Sequence, residues 1–126
     1  MATLTVLRED LAELVATVTG FPCYAYLLER PTPPVAMISP ANPYVATDDE
    51  QSTFKDYRVN YRVDVVAPNA TNETKTTSID ETIGELLSGL ETTGYLVGNV
   101  SAPYGLELNG ATYLAVTLDV SVYNQF

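Results

Sequence analysis

Histidine and tryptophan are absent from this chain of 126 residues, and cysteine occurs once. Without histidine the sequence forgoes the commonest general base and metal ligand. A lone Cys23 excludes an intramolecular disulfide and a thiolate metal cluster. Bases are scarce too: six Lys and Arg stand against sixteen Asp and Glu, a formal net charge of −10. Neutralising a phosphate backbone needs clustered Lys and Arg, so unaided nucleic-acid binding is not expected. No apolar run approaches the ~20 residues that span a bilayer. Arg8-Glu9-Asp10 arrives too early for a signal peptide, so the cell interior is the expected compartment. The N-x-[ST] triplets at Asn69, Asn72 and Asn99 are read as chance.

What remains is a globular composition, 46% hydrophobic and 17% charged, at a length that suits one core. Residues 1–126 are therefore read as a single domain. Leu7, Leu11, Leu14, Val15 and Val18 form one apolar stripe at the helical period, and Gly20 is the natural stop. Glu9 and Asp10 are placed in the first turn, where acids suit the helix dipole. Phe21 to Leu28 is predicted as a strand, followed by an extended bend through Pro31, Pro33 and Pro34.

Val35 to Ile38 reads as a short buried strand, and residues 40–53 as a long loop carrying Pro40, Pro43 and the acids Asp48, Asp49 and Glu50. The strongest strand signal is Phe54 to Ala67. There Tyr57, Val59, Tyr61, Val63 and Val65 alternate with Arg58, Asn60, Arg62 and Asp64. A second amphipathic helix is expected between Thr71 and Glu91, with Ile79, Ile83, Leu86, Leu87 and Leu90 as its stripe; an early start capped by Thr71-Asn72 is preferred to a capping box at Ser78-x-x-Glu81. Tyr95 to Ser101 is a strand, and Asn109-Gly110 is the turn of a hairpin whose second arm alternates to Val122. The order α-β-β-β-α-β-β-β predicts an α+β fold, with two helices packed on a mostly antiparallel sheet.

Catalytic constellations are missing. Cys23 has no histidine to activate it, and no phosphate loop or nucleophile elbow is present. Asp48-Asp49-Glu50 lacks the spacing of a calcium loop, and Glu81 with Glu85 is read as a solvated helix face. The chain is thus not expected to be an enzyme, and no cofactor or metal is called for. Charge is one-sided: from Thr76 to Phe126 come Asp80, Glu81, Glu85, Glu91, Glu107 and Asp119 without one Lys or Arg. Lys55, Arg58 and Arg62 cluster on the central strand instead. Such a distribution either repels a polyanion or meets a cationic neighbour copy. The nine tyrosines are read as core packing, or alternatively as an oligomer interface, where tyrosine is enriched.

Several segments resemble the tail-terminator (tail-completion) proteins of long-tailed bacteriophages, the siphovirus type that infects actinobacteria. They are Leu7 to Leu11, Pro40 to Val45, Phe54 to Pro68, Thr71-Asn72-Glu73, Val100 to Tyr104 and Gly110 to Val116. The resemblance implies a structural virion protein without enzymatic activity or cofactor. It would assemble as a hexameric ring on the head-proximal end of the tail tube, end tube polymerisation and join the tail to the head connector or head-closure protein. Genomic DNA would pass through unbound. Another neck or tail-tube protein of related fold, or a non-viral binding or scaffold module, are the other readings. A hydrolase built on carboxylates alone is disfavoured by the lack of histidine.

On the ring reading, subunit contacts are expected at Asp48, Asp49, Glu50, Phe54, Arg58, Tyr61, Arg62 and Val120. The long strands 54–67 and 111–123 are expected to meet the neighbour, and loop 40–53 to bridge to it. Glu107 and Asp119 are the candidates for the lumen.

Overall fold

A computed structural model describes residues 3–47, 57–68, 72–108 and 110–124. Helix α1 spans Leu4–Thr19. Thr3 caps it, its hydroxyl accepting from the Val6 N–H at 3.2 Å. Its first turn holds no acid, because the helix begins earlier than the apolar stripe requires and Glu9 and Asp10 fall in the second turn. Gly20 ends it with φ 74°, a left-handed conformation that lets its N–H reach the Ala16 carbonyl.

Strand β1 is only Cys23–Tyr24, running parallel to β2, Val35–Thr47. The longer strand expected over Phe21–Leu28 does not form because the segment changes sides. Cys23 and Ala25 pack on the helix side of the sheet, whereas Leu28 packs on the opposite side and its N–H points to Met37 Sδ. The expected loop from residue 40 is likewise corrected as far as Thr47: β2 continues through Pro40 and Pro43. It does so by an irregularity, since Pro40 pairs with Tyr61 and Val45 already with Val59. Three extra residues are absorbed as a bulge, which accommodates prolines that cannot donate to a ladder.

Strand β3, Tyr57–Val66, and strand β6, Ala111–Asn124, pair antiparallel over ten residues from Tyr57–Asn124 to Val66–Ala115. Between them in sequence lie helix α2, Asn72–Thr92, strand β4, Leu96–Val100, and strand β5, Tyr104–Leu108. The sheet order is β1-β2-β3-β6-β4, with β5 also on β6. Both long strands are therefore interior, each paired on two sides. A neighbouring subunit cannot continue the sheet through them, which corrects one half of the expectation from their length, that the neighbour either continues the sheet or packs on it.

Both helices lie on one face. Leu11 and Val15 of α1, and Ile79, Leu86 and Leu90 of α2, are fully buried against Ile38, Val59, Tyr61, Val63, Val65, Val116, Leu118 and Val120. Each such aliphatic side chain contributes about 1.5–3 kcal/mol on burial. The helices touch where Gly89 meets Val18: a Cβ on Gly89 would stand 2.7 Å from Val18 Cγ2. A smaller apolar cluster occupies the other face, where Val35, Met37, Val66 and Ala115 are covered by Leu28, Leu106, Leu108 and Tyr113.

Candidate interaction surfaces

The helix-free face of the sheet is built by the polar half of the β3 and β6 alternation. Asp64, opposite Thr117, is only 9% exposed. Its Oδ1 accepts from Thr117 Oγ1 at 2.7 Å and from Arg62 Nε at 3.4 Å. The Tyr104 hydroxyl lies 3.1 Å from Thr117 Oγ1. A threonine hydroxyl has one proton, and a carboxylate can only accept, so Tyr104 is the donor in that second bond. Four residues further along the same two strands, Ser121 donates to Asn60 Oδ1 at 2.7 Å, and Asn60 Nδ2 donates to the Pro43 carbonyl at 3.0 Å. The alternation was legible from sequence, but these bonds were not, since they depend on cross-strand register.

The residues expected at a subunit contact do not share one surface. Arg58 and Arg62 stand on the helix-free face, and Arg62 is paired in register with Asp119. Tyr61 and Val120 must be corrected: both are 0% exposed beneath the helices and have no surface to offer a neighbour. Their strand parity puts them with Val59 and Val63, and amphipathic helices claim that side. Asp48, Asp49, Glu50 and Phe54 lie outside the described residues. Glu107 and Asp119 are both exposed, but strand alternation sends them to opposite faces. Glu107 pairs with Thr112, on the parity of Val116 and Leu118, whereas Asp119 pairs with Arg62 on the helix-free side.

Buried polar groups gather under α1. Arg8 Nη1 donates to the Tyr44 hydroxyl at 3.3 Å, and the Tyr44 ring stands edge-on to Tyr61 with centroids 6.0 Å apart. Burial, reinforced by neighbouring Tyr44 and Tyr95, holds the Tyr61 hydroxyl well above the ordinary phenol range. That hydroxyl and Arg8 Nε are shielded from solvent without a hydrogen-bond partner among the described residues. Burial also pushes the Cys23 thiol up to about 12, which leaves it a poor nucleophile. Among the described residues no three His, Cys, Asp or Glu gather where they could hold a metal ion. No helix among them is long and apolar enough to cross a membrane.

Two open grooves lie at opposite ends of the sheet order, and sequence reasoning named neither. The first, about 290 Å³, sits where β1 stops beside β2, between Arg8, Tyr26, Leu27, Ile38 and Pro40. The second, about 320 Å³, lies between the end of α2 and the start of β4, lined by Glu91, Gly94, Tyr95, Leu96 and Val97. Both assemble from short connections whose positions follow from packing, not periodicity. No protein-family model matches the chain, and no curated protein matches it.

Proposed function

We propose that the chain is a structural virion subunit of a long-tailed phage, assembling as a ring that caps the head-proximal end of the tail tube. The ring ends tube polymerisation and joins the tail to the head connector or head-closure protein, after assembly in the host cytoplasm. The observation that carries this reading is where the exposed large apolar side chains stand. Of the eight among the described residues, Tyr24, Tyr26, Leu27 and Val45 belong to the β1–β2 end of the sheet and Leu96 and Tyr104 to the β4–β5 end, while Val6 on α1 and Tyr123 on β6 stand apart. A ring member needs contact surfaces at two separate ends, because each subunit meets two neighbours through different patches. The resemblance of Leu7–Leu11, Pro40–Val45 and the other matched segments to tail terminators supplies the choice of assembly.

The charge balance suits a conduit for DNA. A wall poor in Lys and Arg makes few phosphate contacts that passage must later break. Because Glu107 and Asp119 occupy opposite faces, each is tested alone: reversal to lysine at a lumen position leaves tails of normal length and slows DNA ejection. Negative-stain images of the purified protein with tail tubes decide the main reading. Rings on one tube end, with growth arrested, uphold it; tubes that keep growing and carry no added density overturn it.

A further inference from the structure

We infer that the two grooves are halves of one contact between copies of this chain. Tyr26 and Leu27 of one copy seat in the Glu91–Val97 groove of the next, with Arg8 facing Glu91. This rests on the ring reading and names its interface.

Tyr26 and Leu27 are 59% and 58% exposed, the most exposed of the large apolar side chains described. They project at the point where the two-residue β1 ends and, among the described residues, leaves the rest of β2 without a strand on that side. Pro40 denies that edge a donor, and the irregularity between Pro40 and Val45 breaks its register. A neighbour is therefore met through side chains here and not by adding a strand. At the far end of the sheet, Tyr95, Leu96 and Val97 give an apolar lining, and Leu96 is 49% exposed.

Charge selects the occupant. Among the described residues, Arg8 is the one charged residue lining the first groove, and Glu91 the one charged residue lining the second. Arg8 is half-buried in the wall of the first groove, its guanidinium held there by the Nη1 bond to the Tyr44 hydroxyl. The second groove belongs to the stretch from Thr76 onward, which contains no base that could repel Arg8. Two like grooves would place arginine against arginine or glutamate against glutamate, so an unlike pairing is favoured. Unlike patches at opposite ends of one sheet suit head-to-tail association, in which each copy offers its two ends to two different neighbours. They propagate head to tail, and close when the rotation per copy divides a full turn.

The decisive experiment mixes two disabled copies. Leu27→Asp spoils the projecting end and leaves the Glu91–Val97 groove intact; Leu96→Asp does the reverse. Mass is read by light scattering or native mass spectrometry, with far-ultraviolet dichroism and melting curves confirming that both exposed-site variants fold. Leu27→Ser and Leu96→Ser replace either one that does not. The wild type is expected as an oligomer and each variant alone at the 13.7 kDa subunit mass. Their equimolar mixture is expected to form a heterodimer and nothing larger, because one intact interface remains. Glu91→Lys, which sets two cations together, is expected to weaken wild-type assembly several-fold.

Retention of the wild-type mass by either variant overturns the contact, as does a mixture that stays monomeric or a wild type monomeric at its highest soluble concentration. Those outcomes are separable from failure of the ring-cap reading, which depends on density at tube ends whichever residues join the copies.

Discussion

The Thr117 hydroxyl donates to Asp64 Oδ1 at 2.7 Å across strands β3 and β6, on a face that no helix covers. The same hydroxyl receives the Tyr104 proton, so three strands' worth of side chains converge on one nearly buried carboxylate. Ser101 adds to this junction: its Oγ accepts from the Thr117 N–H at 3.0 Å, and its own N–H donates to the Thr117 carbonyl at 2.8 Å. The β4–β5 connection is thereby fastened to β6.

Thr117→Val keeps the shape and removes the donor, leaving Asp64 with the longer Arg62 contact alone. A loss of about 1–3 kcal/mol is expected, the usual cost of an unsatisfied buried acceptor. Urea denaturation measures it. Asp64→Leu in the Thr117→Val background should recover part of the loss, since it removes the stranded carboxylate. A double variant weaker than the sum of the singles would contradict that chain of bonds.

Two glycines of α2 are expected to respond with opposite sign. A Cβ on Gly84 meets nothing within 4 Å, so Gly84→Ala should stabilise by about 0.5–1 kcal/mol through helix propensity. Gly89→Ala gains the same propensity but drives a methyl into Val18, whose β-branched side chain has little freedom to retreat. Overpacking of that kind costs about 1–3 kcal/mol, so a net loss is expected. In a Val18→Ala background the sign should reverse, which thermal melts of the four combinations will show.

Tyr61 and Val120 test the core. Tyr61→Phe removes a buried hydroxyl that has no partner among the described residues, and should be neutral or stabilising by up to about 1 kcal/mol. Val120→Lys inserts a charge beneath the helices, and a loss above about 4 kcal/mol is expected. A folded, wild-type-like Val120→Lys protein in a chemical melt would return Val120 to the surface.

Alkaline pH should unfold the protein earlier than its acids would suggest. The folded Cys23 thiol titrates at about 12 against an ordinary 9.0, and Tyr61 is raised from 10.0. A raised folded value means that the unfolded chain ionises first. The stabilising contribution is therefore complete below pH 9 and is lost as pH climbs from there toward 12. Denaturation midpoints across pH 8 to 11 measure the slope. Cys23→Ala and Tyr61→Phe should each flatten it, and iodoacetamide should alkylate native Cys23 far more slowly than the unfolded thiol at pH 9.

The α+β order, both helices, the Gly20 stop and the interior alternation of Val59, Val63, Val116 and Leu118 were legible in sequence alone. Each is written in a local period or a local backbone requirement, and needs no distant partner to be recognised. Where proline dominated the local signal, as at Pro40 and Pro43, the same reasoning placed a loop in a strand, because a neighbouring strand can hold a bulge that propensity disfavours. Alternation also divided Tyr61 and Val120 from the polar side correctly without revealing which side the helices would cover. Strand order, the burial of Asp64 and the grooves at Arg8 and Glu91 were decided only by the tertiary structure. They arise from residues distant along the chain, 53 apart for Thr117 and Asp64, that come together only once the β3–β6 register is set.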